Sequence, residues 1–421
     1  MNYRSRVVDQ ELRERLGFAG AVVIEGPKAC GKTETAMQFC ASSVAFDLDP
    51  ASRDSVAIDP RLPLAGATPR LLDEWQLAPA VWNGVRREVD ARQKPGQFIL
   101  TGSATPSDDF TRHSGAGRFS RLRMRPMSFL EVGASDGSVS VADLMRGEEV
   151  RAPKPQLEFA DVVDQLCQGG WPGFQSHSVK STLILVADYV DDICRTDIHA
   201  VDGIRRDPVR VRAVFTALAR HVSSDLKYTT LARDAAPHTD SRTAPDVESV
   251  SAYVTALERL LIAEPLPAWA PHLRSRTRVR SSPKFHFVDP SLAVAALGAN
   301  PGSLMKDLNT TGLLFESLVV RDIRVYSQSL GGSVRHYRDE SGLEVDAIVS
   351  TSDSTWMAIE VKLSSSTEVV DAAAAQLIKF ADRIDTAKCG RPAALVVVTA
   401  SGYAYRRPDG VSVVPIGALG P

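Results

Sequence analysis

An α/β architecture is predicted for this chain: a parallel sheet at the amino end, a helical middle, and a smaller α/β unit at the carboxyl end. Three observations predict it. Short apolar runs alternate with helical patterns in the amino-terminal part, which is the rhythm of strands joined by crossover helices. Apolar residues then recur at helical spacing through the middle, and three strand-like runs flanked by helices follow.

The first strands are expected at AVVIEG (from Ala21), SVAFDLD (from Ser43), RLLDE (from Arg70), QFILTGS (from Gln97) and RLRMRPM (from Arg121), with a helix starting at Lys32. The stretch 133–156, rich in Gly, Ser and Pro, reads as a loop or boundary. From Ser224 two short helical stretches follow; in the second, Val250, Tyr253, Val254, Leu257, Leu260 and Leu261 share one helical face. A hairpin-like stretch ending in KFHFVD comes next, and helix, turn, helix, wing is the order of a winged helix-turn-helix module. From Ser303 onward a helix around Phe315–Val325, strands at VRHYRD, LEVDAIVS and TWMAIEVKL, a helix near Ala372–Arg383 and the strand ALVVVTA compose a small α/β domain. The expected division is 1–150 for the parallel sheet, 151–222 for a helical lid or connector, 223–300 for the winged helix and 301–421 for the last domain.

Composition bounds the function classes. The 421 residues exceed one ordinary core, so about two to four domains are expected. Forty-nine Lys plus Arg against 51 Asp plus Glu leave a net charge of −2, so any pull toward nucleic acid must come from a local patch. The five cysteines, Cys30, Cys40, Cys167, Cys194 and Cys389, show no C-x-x-C spacing, which argues against a disulfide scaffold and a zinc site and fits a reducing cytoplasm. The amino terminus lacks an apolar leader and no run is long enough to span a bilayer. Neither export nor a membrane partner is expected.

The motif with the most specific chemistry is GPKACGKT: Gly26, Pro27, Lys28, Ala29, Cys30, Gly31, Lys32 and Thr33. It satisfies G-x-x-x-x-G-K-[ST] between a strand and a helix, the context a phosphate-binding loop needs. Its amides would curl around phosphates, Lys32 would place a cation on the β and γ oxygens, and Thr33 would offer its hydroxyl to Mg²⁺, so ATP and Mg²⁺ are the expected ligands. Cys30 is read as a small residue at a variable position, not a redox switch. Asp73 and Glu74 close the apolar run that follows, in the Walker B pattern, with Asp73 on the metal side and Glu74 orienting the attacking water. Ser103 or Thr101, ending the strand QFILTGS, is the candidate sensor of the γ-phosphate, the alternative being a plain strand-to-loop turn. Arg118 and Arg121 are either arginines that reach a neighbouring subunit's γ-phosphate or solvated surface residues.

The loop GPKACGKT with LLDEWQLAPAVW, FILTGSA, AGRF and PMSFLEV resembles a widespread bacterial and archaeal group of AAA-type ATPases. GGWPGF, YVDDICRTDI, PKFHFVD, LLFESLVVRDI and SGLEVDAIV continue the resemblance over nearly the whole chain. It implies a P-loop NTPase module, a winged helix and a C-terminal domain of unresolved role.

In that last domain Asp346 precedes Glu360-Val361-Lys362 by fourteen residues across a turn, a pattern that resembles the PD-(D/E)xK restriction-endonuclease-like core. A hairpin would set the two strands side by side, and a period of two would put Glu360 and Lys362 on one face with Asp346 near them. Two carboxylates would then hold Mg²⁺ while the lysine stabilises hydroxide. Glu316 and Gln376 fit accessory positions, and Val345 stands where the motif has proline. An active nuclease and a degenerate fold used for binding both fit. Arg274, Arg276, Arg278 and Arg280 alternate, with Lys284 beyond; on a strand they would form a cationic wing for phosphates, or an edge strand guarded by charge. The expectation is an ATPase, able to form a homo-oligomer, that couples nucleotide state to nucleic-acid binding. The alternatives are a nucleotide switch docking a protein partner and an ATP-gated metal-dependent nuclease.

Overall fold

Five apolar runs become five parallel strands: β1 (Ala21–Glu25), β2 (Ser42–Ala45), β3 (Arg70–Asp73), β4 (Phe98–Gly102) and β5 (Phe119–Arg123). This computed structural model describes residues 3–103, 115–225, 227–236, 245–271 and 282–421. The strand order is β2-β3-β4-β1-β5. Ala21 and Val23 face a core with Phe46, Leu72, Trp75, Trp82 and Leu100, while Val22 and Ile24 face another with Leu71, Ile99 and Leu122. Covering on both faces is why these strands read as continuous apolar runs and not as alternations. Because β4 lies between β1 and β3, their carboxyl ends align, with Glu25 opposite Gly102 and Leu72 opposite Leu100. That edge is where open α/β sheets bind ligands.

The chain divides into two compact units. The first is Met1–Pro126 with Thr196–Arg205 and Thr255–Ile262; the second is Met127–Arg195 with Arg206–Val254 and Ala263–Pro421. The first break thus falls after Pro126 instead of at the expected residue 150. Two very short strands explain the difference. β6 (Val139–Ser140) pairs with β14 (Leu419–Gly420), and β7 (Arg151–Ala152) pairs with β12 (Ala404–Arg406), so this stretch belongs to the sheets of the second unit. A two-residue strand has no period for sequence reading to detect.

The second unit is built on a seven-stranded sheet. With β8 (Ser333–Arg338), β9 (Glu344–Ser350), β10 (Trp356–Lys362), β11 (Ala394–Thr399) and β13 (Ser412–Pro415), its order is β7-β12-β13-β11-β10-β9-β8. β9 and β10 form the expected antiparallel pair, with Trp356 opposite Ser350 and Ile359 opposite Ala347. The helix Thr367–Arg383 buries Ala373, Ala374, Leu377 and Phe380 against Trp356, Ala358 and Val397. Upstream, the helices Pro208–Arg220, Tyr228–Asp234 and Val247–Arg259 precede antiparallel bridges Ala263 to Phe287 and Leu266 to Lys284. All six apolar residues expected on one helical face are buried, but the helix ends at Arg259 and Leu260 and Leu261 follow it in a turn, Leu261 at φ 64°.

One buried polar network ties the second unit together around the helix Leu308–Gln328. Arg321 donates to Asp289 at 2.7 Å and to Asp322 at 2.7 Å, all three side chains being almost wholly inaccessible. Asp289 also accepts from the Gly170 amide at 2.9 Å, and Asp322 from the Phe129 amide at 3.0 Å. Four of the sequence segments PMSFLEV, GGWPGF, PKFHFVD and LLFESLVVRDI therefore meet at one structural junction. Gly170 is required there, since a Cβ would collide with the backbone of Met127.

Candidate functional site

The loop between β1 and the helix Lys32–Met37 turns through left-handed residues, Ala29 at φ 59° and Gly31 at φ 97°. Gly26 admits no side chain, because a Cβ would collide with the Met124 carbonyl and crowd the Cys30 sulfur. Cys30 is buried with its thiol toward that carbonyl. Lys32 is only 4% exposed, and its ammonium is held 2.8 Å from the Pro27 carbonyl inside the loop. A buried cation over a glycine-shaped turn suits a group of high negative charge.

The carboxylate side comes from the neighbouring strands. Thr33 donates to Asp73 at 2.9 Å, and Thr101, on the strand between, also donates to the same oxygen of Asp73. Of the two hydroxyls singled out at the carboxyl end of β4, Thr101 is the one on Asp73; Ser103, just past the strand, lies 3.3 Å from Glu74 and 3.4 Å from Gln76. Glu74 also pairs with Gln76 and adopts a left-handed backbone, φ 51°. A non-glycine residue in that region is uncommon and concentrates where geometry is functionally fixed. Among the described residues no group of three or more His, Cys, Asp or Glu could hold a metal. One carboxylate and one hydroxyl nevertheless fit Mg²⁺, which keeps waters and shares its coordination with substrate phosphates.

Lys28 pairs at 2.5 Å with Asp197, a buried carboxylate that the sequence reading did not select. Asp197 ends the segment YVDDICRTD, where Ile193–Asp197 is a π-helical turn; the resemblance flagged the segment, but no spacing rule links it to the loop. Arg118 is not brought to the phosphate loop. It precedes β5 at the end of the sheet where Ala21 starts β1, away from Glu25, and pairs with Asp90 at 2.8 Å. Arg121 pairs with Glu25 and lies over the Trp82 ring at 5.5 Å.

In the second unit Glu316, Asp346, Glu360 and Lys362 do come together. Lys362 is 2.7 Å from Glu360 and 3.8 Å from Asp346. Gln376 donates to Glu360 at 3.1 Å, and the Val361 amide to Asp346 at 2.9 Å. Burial, with Asp346 adding to it, pushes both Glu316 and Glu360 up to about 8 against the opposing pull of the lysines. Lys284 requires a correction. Expected on a basic surface, it is buried inside this cluster, 2.9 Å from Glu316 and 3.4 Å from Asp346. The antiparallel pairing of Leu266 with Lys284 turns its side chain inward. Arg274, Arg276, Arg278 and Arg280 lie outside the described residues.

Histidines add no chemistry to the cluster. His286 and His336 are buried, and desolvation lowers both, His336 to about 4. No helix among the described residues is long and apolar enough to cross a membrane.

Comparison with known proteins finds three matching stretches. Residues 160–303 match a domain of unknown function, DUF8612, and residues 311–419 another, DUF4143. Uncharacterised proteins of Mycobacterium bovis and Mycobacterium tuberculosis are each 24% identical over 366 residues, covering 85% of this chain and 74% of theirs. A solved Walker-type ATPase of Pyrococcus abyssi aligns over 68% of this chain and 94% of its own, at 12% identity and a TM-score of 0.41. Residues 19–133 match the AAA domain family, and with the phosphate-loop motif at the carboxyl edge of a parallel sheet they form an AAA-type ATP-binding domain.

Proposed function

We propose that this chain hydrolyses ATP with Mg²⁺ and couples nucleotide state to nucleic-acid binding. The observation that carries the hydrolytic reading is the hydrogen-bonded set Thr33–Asp73–Thr101 beside the buried Lys32. In this reading the loop amides and Lys32 hold the β and γ phosphates, while Thr33 and Asp73 hold the Mg²⁺. The metal, when bound, supplies charge neutralisation on the phosphates. Glu74, braced by Gln76 and Ser103, orients the attacking water and takes its proton. Arg118 has no role within one chain here; a role across subunits would require it to leave Asp90.

Nucleic acid is the proposed partner because three helices and the antiparallel bridges at Ala263 and Leu266 follow the order of a winged helix, and its alternating arginines 274–280 suit phosphate contact. A protein-docking switch is the second reading, favoured by an open groove of about 560 Å³ lined by Asp207, Val209, Arg210 and Arg220, whose mixed character suits a peptide better than a phosphate backbone. An ATP-gated nuclease would need metal at the C-terminal carboxylates, and the placement of Lys284 opposes it.

One preparation, assayed for ATP turnover with and without DNA, separates these. Lys32→Ala should lose nucleotide binding, and Glu74→Gln should retain ATP while turning over roughly 10²- to 10⁴-fold more slowly. Equal turnover in wild type and Glu74→Gln would remove Glu74 from its role. DNA binding that weakens with salt and is lost when all four arginines become alanine supports the nucleic-acid reading; DNA binding unchanged by that replacement overturns it.

A further inference from the structure

A nuclease core of the kind Asp346 and Glu360-Val361-Lys362 resemble implies a divalent metal, and the residues do not fit one. The four-residue pattern is complete, but a fifth group enters from outside it. Lys284 reaches in from the segment paired with Leu266 and sets its ammonium between Glu316 and Asp346. We propose that Lys284 is the resident cation of this cluster, taking the place of a divalent metal, and that the C-terminal domain is therefore not a metal-dependent nuclease.

The oxygen atoms decide between ammonium and metal. Lys284 donates to Glu316 Oε1 and Asp346 Oδ1, the Val361 amide to Asp346 Oδ2, Gln376 to Glu360 Oε1, and Lys362 to Glu360 Oε2. Five of the six carboxylate oxygens are thereby engaged by nitrogen donors. A hard dication needs several of those oxygens at short range and in near-octahedral array. It would also have to sit beside an ammonium, a repulsion that burial leaves poorly screened.

Lys284 is built in and not a wandering surface chain. Its amide donates to the Leu266 carbonyl at 3.0 Å and its carbonyl accepts from the Leu266 amide at 2.8 Å, so the backbone fixes where the side chain points. Its side chain is 7% exposed. Burial works against the charged form, yet Glu316 and Asp346 outweigh it and hold the Lys284 pKa above its ordinary value. The ammonium therefore stays charged, and removing it leaves carboxylates facing one another without it.

The test uses the full chain carrying Lys32→Ala, so that neither a failed nor a successful ATPase assignment affects the readout. Mn²⁺ is titrated in, free Mn²⁺ is followed by its spin-resonance signal, and thermal unfolding is recorded in parallel. The expected result is no tightly bound Mn²⁺ and no Mn²⁺-dependent shift of the unfolding midpoint. Lys284→Met should gain a Mn²⁺ site and be stabilised by it, and adding Asp346→Asn should abolish that gain. Mn²⁺ bound tightly by the Lys284-bearing protein and lost on Asp346→Asn would overturn the proposal. So would a folded Lys284→Met that gains no site; if that variant fails to fold, the comparison of Lys284-bearing protein with and without Asp346→Asn decides alone.

Discussion

At the scale of single residues, the hydroxyls of Thr101 on β4 and of Ser103 just beyond it hold different acids, and this separates their expected effects. Thr101 is fully buried and donates to Asp73, which also accepts from Thr33. Thr101→Val keeps the volume and removes one charge-assisted hydrogen bond, a loss of about 1.5–3 kcal/mol in holding Asp73. It should therefore weaken the Mg²⁺ dependence of ATP binding. Ser103 touches Glu74 and Gln76 instead, so Ser103→Ala should lower kcat with KM little changed. Steady-state ATPase kinetics across a Mg²⁺ titration distinguish the two, and the opposite partition would exchange their roles. The motif residues were legible because a phosphate loop dictates residue types at fixed spacing. Asp197 was not, since its 2.5 Å pairing with Lys28 spans 169 positions and leaves no local pattern.

At the scale of elements, five strands of the first sheet and the strands β8, β9, β10 and β11 could be read from apolar runs and alternation, because each buries enough side chains to set a pattern. The stretches at β6 and β7 could not, being two residues each and held by pairing partners hundreds of positions away. The segments shared with the resembling family prove in part to be joints: Asp289, Arg321 and Asp322 fasten Gly170 and Phe129 to one helix. Such residues look like chemistry in a sequence because both ion networks and active sites use buried charge. Arg321→Met should leave two buried carboxylates without their cation and cost about 3–5 kcal/mol. Urea unfolding of the second unit measures it, and a change under about 1 kcal/mol would mean the network relaxes around the loss.

At the scale of the whole molecule, the second unit buries groups whose titration bounds its stability on both sides. His336, with its Nε2 3.1 Å from the Ser282 carbonyl, is pushed by burial and then by Lys284 from the usual imidazole value to about 4, and burial lowers His286 as well. An unfolded chain binds protons at these rings below about 6.5 that the folded chain does not. Their contribution is therefore present above that value and lost as pH falls below it, for His336 toward about 4. Glu316 and Glu360 act with the opposite sign. Folded, each holds its proton up to about 8, whereas an unfolded glutamate releases it near its ordinary value. Their contribution is complete at low pH and lost as pH rises through about 8. Between about 4.5 and 6.5 the two pairs of groups oppose one another, so stability should be nearly flat there. It should decline on both sides, the acid limb from the histidines and the alkaline limb, between about 6.5 and 8, from the glutamates. Denaturant midpoints measured from pH 4 to pH 9 would show this shape, with Glu316→Gln reducing the alkaline slope and leaving the acid limb in place. An alkaline limb unchanged in that variant would mean that Glu316 is ionised in the folded protein at neutral pH, paired as a full anion with Lys284.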